Sequence, residues 1–397
     1  MDMLKTRIIL YYVLILIFFQ VSCARQQKDV KDLVLSVEGH FVTDSRTSIF
    51  DIDVQKEAGG FVLSGETDQP EALEALLDTL ERQNISHINR VLVLPEEQLG
   101  DQTWAIINVS VSNLRKDPKH SSELVTQANL GAHVKVLKKS GGWYLVQTID
   151  RYLGWVDDGA IVLKTVDEAN RILDREKIIF KEIYGFSYAE PAEGSSTISD
   201  LTSGNLLILE DSLHHFYKIS YPDGRHGYIR KSESEVFSVW GHKNRLDGEL
   251  LTSTAFKLLG VPYLWGGTSP KAMDCSGFTK TVYFLHGLVL PRDADQQMEV
   301  GIMIDEKKDF STLEKGDLLF FGTGATDSSL ERVVHVGMWI GDWQFIHASG
   351  DVHISSIDTA STLFDEYNLN RYLRAKRLIG SEDVIDLMVK LKYSRIW

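Results

Sequence analysis

The sequence predicts an α+β chain of several domains, and three observations carry that prediction. The middle of the chain repeats itself after 73 residues in a β-rich pattern. A helix with a cysteine in its first turn is followed by two strands that each bear a histidine. A short β-α-β pattern fills the stretch before the repeat. At 397 residues, 43% hydrophobic and 25% charged, the chain can bury a sizeable core and should hold roughly two to four domains. A net charge of -14 without any Lys/Arg cluster argues against a nucleic-acid binder, and the acidic surface reads as solvation. Peptide substrates remain open.

The first residues read as an address. Lys5 and Arg7 precede Ile8 to Phe19, a twelve-residue apolar run too short to span a bilayer comfortably, and Gln20-Val21-Ser22-Cys23 follows with a polar stretch behind it. Residues 1–22 are therefore expected to export the chain. The segment resembles a bacterial lipoprotein signal, which implies that Cys23 is lipidated and anchors the protein to a bacterial membrane on its periplasmic or cell-surface side. Gln20 departs from that pattern, where Leu is usual, and ordinary cleavage near Ala24 is the alternative. The chain has two cysteines. If Cys23 is acylated, Cys275 has no disulfide partner, and an exported protein carrying a free thiol suggests chemistry.

Residues 31–100 read as a small α/β unit. Ser48 to Val54 and Gly60 to Gly65 look like strands, Pro70 opens a helix with Leu73, Leu76, Leu77 and Leu80 at helical spacing, and Val91 to Leu94 is a third strand. The pattern resembles the BON-type lipid-associated domains of exported bacterial proteins; a spacer holding the rest off the membrane explains it as well.

The repeat spans two expected modules, residues 105–165 and 178–238. A shift of 73 superposes Gly131 on Gly204, Val134 on Leu207, Trp143 on Phe216, Tyr144 on Tyr217, Asp150 on Asp223, Gly154 on Gly227 and Trp155 on Tyr228. Short strands with Gly/Asp turns predict a small antiparallel barrel for each copy. Both copies resemble bacterial SH3-like domains, and such barrels serve as binding or spacing modules.

Residues 245–397 carry the chemistry. Phe278, Val282 and Leu285 fall at helical spacing after Ser276 and the run stops at Gly287, so Asp274 is a plausible N-cap and Cys275 falls in the first turn. There the helix dipole favours a thiolate; a buried structural cysteine is the alternative. Val333 to Ile340 and Gln344 to Ala348 read as antiparallel strands around Gly341-Asp342. A two-residue loop there puts His335 and His347 on opposite faces, whereas a three-residue loop pairs Gly337 with His347 and puts both on one face. The three-residue loop is expected, with the histidines as diagonal neighbours about 7–8 Å apart by backbone. A nucleophile, a base and an orienter are then all present.

Tyr263-Leu264-Trp265-Gly266-Gly267, Asp274-Cys275-Ser276-Gly277-Phe278, Leu290-Pro291-Arg292-Asp293, Lys315-Gly316-Asp317-Leu318, His335-Val336-Gly337 and Phe345-Ile346-His347-Ala348 together resemble the NlpC-type, papain-like cell-wall cysteine peptidases. The resemblance implies a papain-like α+β domain and a Cys275-His335-His347 triad, with the Tyr263 hydroxyl helping to stabilise the oxyanion. Asp274, Ser276 and Trp265 would shape the substrate pocket, with Arg292 and Asp293 also on the substrate side. Close relatives often have Ser after the Arg-Asp pair; this chain has Ala294. Ser121 to Gln127 and Asp150 to Trp155 look like the barrel segments that wall the active site in peptide-recycling relatives, where a carboxylate and a phenol hold the substrate's free amino terminus. Glu123 and Tyr152 are the candidates here, and a solvated loop carboxylate is the alternative for Glu123.

The expected product is thus an exported monomeric enzyme, needing no metal or cofactor, that hydrolyses the bond between gamma-D-glutamate and an L-diamino acid in peptidoglycan stem peptides. The bond assignment comes from the resemblance. An amidase or acyltransferase on the same fold, or a wall-binding scaffold with a degenerate site, are the competing readings.

Overall fold

The computed structural model describes residues 27–57, 59–243, 246–326 and 329–382. The leader and Cys23 lie outside them. The chain divides into two compact units between Gln98 and Leu99.

In the first unit Phe50–Glu57 and Gly60–Thr67 form an antiparallel pair, and His87–Val93 joins Gly60–Thr67 in parallel. The parallel return needs a crossover, which the helix Pro70–Arg82 supplies with its proline in the first turn. Leu76 and Leu80 from that helix pack with Phe50, Val54 and Leu63. A further helix over residues 27–41, not anticipated above, adds Val30, Val34 and Val37 to the same core. Those valines do stand at i, i+4 and i+7, a spacing that the surrounding Lys, Asp and Glu obscure.

The second unit opens with the two copies of the repeat. Each is a seven-stranded antiparallel sheet, and the strand orders coincide. Trp104–Ile107, Val111–Arg115, Leu124–Asn129, His133–Ser140, Trp143–Gln147, Leu153–Asp157 and Ile161–Lys164 build the first. Lys177–Phe180, Tyr184–Tyr188, Thr197–Thr202, Leu206–Ser212, Phe216–Ser220, His226–Arg230 and Ser234–Val236 build the second. Every strand of the second begins 73 residues after its counterpart, so the duplication is one of topology as well as sequence. The copies are joined through their cores: Leu130 of the first packs among Ile178, Phe180 and Leu207 of the second, and its carbonyl accepts from Leu206 N at 2.9 Å.

The remainder is a six-stranded sheet in the order Ile302–Asp305, Tyr372–Arg377, Leu318–Thr323, Arg332–Gly341, Gln344–Ser349, Asp351–Ser356. Alternation fills both faces. Phe320, Val336, Met338 and Ile346 pack with Phe278, Val282 and Tyr283 of the helix Cys275–Phe284, while Phe321, Trp339, Phe345 and Tyr372 form a second cluster.

The hairpin turn corrects the sequence reading. Its loop is the two-residue Asp342-Trp343, both residues at positive φ (51° and 61°), closed by Gly341 opposite Gln344. That register alone would split the histidines. A bulge between Trp339 and Gly341 shifts the ladder by one, so Met338 faces Ile346 and the histidines share a face. Loop length was the wrong variable, because one inserted residue within a strand changes register as effectively as one in the turn. Gly337 is the residue this arrangement cannot spare: a Cβ there would stand 2.9 Å from the Phe345 ring and 3.2 Å from His347 Cβ. Gly337→Ala should therefore cost about 1–3 kcal/mol of stability through overpacking, read by denaturant unfolding; a variant as stable as its parent would contradict the packing described.

Candidate active site

Asp274 begins the site. Its Oδ1 accepts from Gly277 N at 2.7 Å, which starts the helix Cys275–Phe284, and its Oδ2 accepts from Gly266 N at 2.9 Å. One carboxylate thus ties the nucleophile helix to the loop that carries Tyr263 and Trp265. Arg292 holds it with Nη2 2.6 Å from Oδ2 and Nη1 3.2 Å from Oδ1, and Nη1 also donates to Ser276 Oγ at 2.9 Å. Arg292 is only 1% exposed. The expectation that Arg292 meets substrate therefore fails: its guanidinium is spent inside the protein, because a buried carboxylate needs a buried cation. Asp274 and Ser276, buried as well, bear on the pocket through the backbone they hold. Gln297 adds to this support, donating to Ser276 O at 3.0 Å and accepting from Thr279 Oγ1 at 2.7 Å.

Cys275 is buried at the head of the helix. Burial, and then the Asp274 charge, push its thiol up to about 11, against the pull of the Val336 and Ser276 backbone amides and Arg292. The helix N-terminus does not prevail here, and the thiolate expected at rest is corrected to a thiol: desolvation outweighs the dipole. The Val336 amide bears on the sulfur, and His335 precedes it on the strand Arg332–Gly341. His335 Nε2 lies 2.7 Å from His347 Nδ1, so Nδ1 is the His335 nitrogen that His347 does not engage. Both rings sit among Phe321 and Phe345. Burial, followed by the neighbouring His347, holds His335 well below its ordinary value; burial, followed by His353, brings His347 down to about 3. Neither charge is stable alone in this setting.

Tyr263 is half-buried beside them. Burial, then Cys275 and Asp274, push its phenol up to about 12, so it stays protonated and able to donate to a developing oxyanion.

The first SH3-like module closes one side. Glu123 is exposed, and its Oε1 accepts from the indole of Trp265, itself 63% exposed, at 2.9 Å. Tyr152 is buried and donates to Asp293 Oδ2 at 2.9 Å. Asp293 also caps the helix Ala294–Met298. Two contacts that the sequence did not reveal fix these residues in place. Asp150, two positions before Tyr152, pairs with Lys280 of the nucleophile helix at 2.6 Å, both largely buried. Gly266, at φ +80°, leaves no room for a Cβ, which would stand 2.2 Å from Leu124 O of the module.

These features recur in proteins already described. Residues 260–377 match the NlpC/P60 family and residues 114–161 match the bacterial dipeptidyl-peptidase Sh3 domain. The gamma-D-glutamyl-L-lysine dipeptidyl-peptidase of Bacillus cereus is 30% identical over 268 residues, which are 64% of this chain and 77% of that protein. The chain belongs to the NlpC/P60 family. It is a cysteine peptidase of that family, with the α+β architecture expected. Dipeptidyl-peptidase 6 of Lysinibacillus sphaericus is 27% identical over 278 residues, 66% of this chain and 94% of that protein. A crystal structure of an NlpC/P60 family protein from Bacillus cereus superposes with a TM-score of 0.60 at 26% identity, covering 70% of this chain and 99% of that one.

The depressed histidines make acid stability a readout of the site. His347 titrates near 3 in the folded protein against 6.5 ordinarily, so folding favours its neutral form. That contribution is complete above pH 6.5 and is lost as pH falls from 6.5 toward 3. In urea titrations across that window His347→Gln should lose stability less steeply than the parent, whatever its stability at pH 8. Identical slopes would show that the ring is not buried neutral.

Proposed function

We propose that this NlpC/P60 peptidase is exported, lipid-anchored through Cys23, and hydrolyses the gamma-D-glutamyl to L-diamino acid bond of peptidoglycan stem peptides, preferring those with a free N-terminal L-alanine. The observation that carries the preference is the seam between the first module and the peptidase domain, where Glu123 meets Trp265 and Tyr152 meets Asp293. Two carboxylates and a phenol along that seam supply the acceptor chemistry an ammonium requires. The names of the Bacillus cereus and Lysinibacillus sphaericus relatives, both dipeptidyl-peptidases, support the same reading.

The reaction runs with one mobile proton. The Cys275 thiol gives its proton to His335 as sulfur attacks the glutamyl carbonyl, and the oxyanion takes a hydrogen bond from Tyr263. His335 returns the proton to the leaving amine, and water, activated by the same ring, releases the acyl group. His347 holds the imidazole in line throughout.

Purified protein should cleave L-alanyl-gamma-D-glutamyl-diamino acid peptides, and Cys275→Ala should abolish turnover while remaining folded. Acetylating the amino terminus removes one charge-assisted contact, about 2 kcal/mol or roughly thirty-fold in kcat/KM given how exposed Glu123 is. Glu123→Gln should narrow that gap mainly by slowing the free peptide. Equal rates on free and acetylated peptides by the parent would mean that the seam is not an amine site, and wall remodelling would become the better reading. Lipidation has its own check: Cys23→Ser should move the protein from the membrane to the soluble fraction.

A further inference from the structure

Tyr152 and Asp293 come from different parts of the chain, and each is held by ties that run back to the helix Cys275–Phe284. Ahead of Asp293, Leu290 O accepts from Lys280 Nζ at 2.5 Å, Pro291 O accepts from Gln297 Nε2 at 2.9 Å, and Arg292 is locked to Asp274. Ahead of Tyr152 the chain turns tightly. Arg151 N donates to Thr148 O at 2.7 Å and Thr148 N to Tyr152 O at 2.9 Å, with Arg151 at φ +70°. Inside that turn Asp150 accepts from Thr148 Oγ1 at 2.5 Å through Oδ1 and from Lys280 Nζ at 2.6 Å through Oδ2. The two sets of ties meet at Lys280.

Lys280 stands midway along the nucleophile helix, and its side chain and that of Asp150 are largely buried, 14% and 5% exposed. An ammonium has three protons and accepts nothing. One proton goes to the turn that carries Tyr152 and another to the segment that carries Asp293, so both residues are set from one reference point on the helix. Burial opposes the Asp150 charge, but Lys280 and then Thr148 outweigh it and hold the carboxyl below its ordinary value. With so little water around it the pair separates only at a cost, because each charge would be left without its partner.

We propose that Lys280 is a positioning residue: by clamping the Tyr152 turn and the Asp293 segment to the nucleophile helix, it sets the spacing of the acceptors that receive the substrate amine. What the clamp holds in place is the 2.9 Å bond from Tyr152 to Asp293 Oδ2. The second module repeats the turn without the clamp. Gly224 N donates to Tyr221 O and Tyr221 N to Arg225 O, each 73 residues after its counterpart, and Gly224 has φ +90° where Arg151 has +70°. Asp223, the counterpart of Asp150, accepts there from Arg225 Nε at 2.6 Å and from Asn108 Nδ2 at 3.0 Å. The turn itself therefore needs no lysine from the peptidase domain. The lysine is engaged in the copy whose turn carries Tyr152.

The proposal rests on the reading of the seam as an amine site, so one of its readouts needs no substrate. With 3-fluorotyrosine in place of Tyr152 in the full-length protein, the 19F resonance reports the surroundings of the phenol. The Asp150→Asn/Lys280→Met variant removes both charges together and should move that resonance toward its position in Asp293→Ala. On free peptide the double variant should lose up to about thirty-fold in kcat/KM, chiefly through KM, while its rate on acetylated peptide and the alkylation of Cys275 by iodoacetamide stay within about two-fold of the parent. Asp150→Asn alone keeps an oxygen for Lys280 and should move both readouts the same way by less; it decides the matter if urea titrations show the double variant unfolded. An unmoved resonance overturns the proposal. So do equal losses on free and acetylated peptides with slowed alkylation, which would assign Lys280 to the helix alone. A moved resonance in a protein whose parent cuts both peptides at equal rates overturns the amine reading and leaves the positioning of Tyr152 by Lys280 intact.

Discussion

The site depends on one buried ion pair. Asp274 and Arg292 lie out of water, where a charge without its partner costs about 3–5 kcal/mol. The pair is tolerated because every oxygen of the carboxylate is also used: Gly277 N starts the nucleophile helix and Gly266 N fixes the loop of Tyr263 and Trp265. A hydrophobic substitute could fill the volume but could not join those two backbones. The helix start and the loop of Tyr263 and Trp265 are therefore aligned by a single polar contact, which explains why Arg292 is spent on structure.

A second constraint follows from the same burial. The low dielectric that strengthens the Asp274–Arg292 pair raises the Cys275 thiol and depresses His335 and His347. A resting site of neutral groups has no fixed charge to direct its protons, so tautomer choice becomes the controlling variable. The hydrogen bonds from His335 to His347 and from His347 to Ser355 matter for that reason.

The first module is joined to the peptidase domain by specific side chains. Its Asp150 reaches Lys280 in the middle of the nucleophile helix, and its Glu123 and Tyr152 bond to Trp265 and Asp293 of the peptidase domain. The second module shares the strand order but places other residues in those positions: the 73-residue shift sets Ser196 against Glu123 and Arg225 against Tyr152. Arg225 bonds to Asp223 of its own module and lies over Tyr221. Duplication supplied the scaffold, and the positions of Glu123 and Tyr152 carry different residues in the second copy.

Much of this was legible in the sequence. Local patterns determine local structure, so the repeat predicted two like modules, and the spacing after Asp274 predicted a capped helix with Cys275 in its first turn. The motif blocks singled out His335 and His347. What the sequence left undetermined shares one physical origin: it depends on groups far apart in the chain meeting in a place without water. The bulge beside Gly341 sets the face of the histidines through cross-strand packing that neither strand encodes alone. The protonation of Cys275 was misjudged because the helix dipole is a local property, whereas desolvation belongs to the assembled core. Arg292 looks like a substrate contact in a motif and becomes a buried counter-ion once Asp274 faces it. Ser355 falls on the strand alternation that follows His347 and could have been found; that its hydroxyl meets His347 Nε2 required the tertiary structure, because only folding sets the register in which the two strands pair.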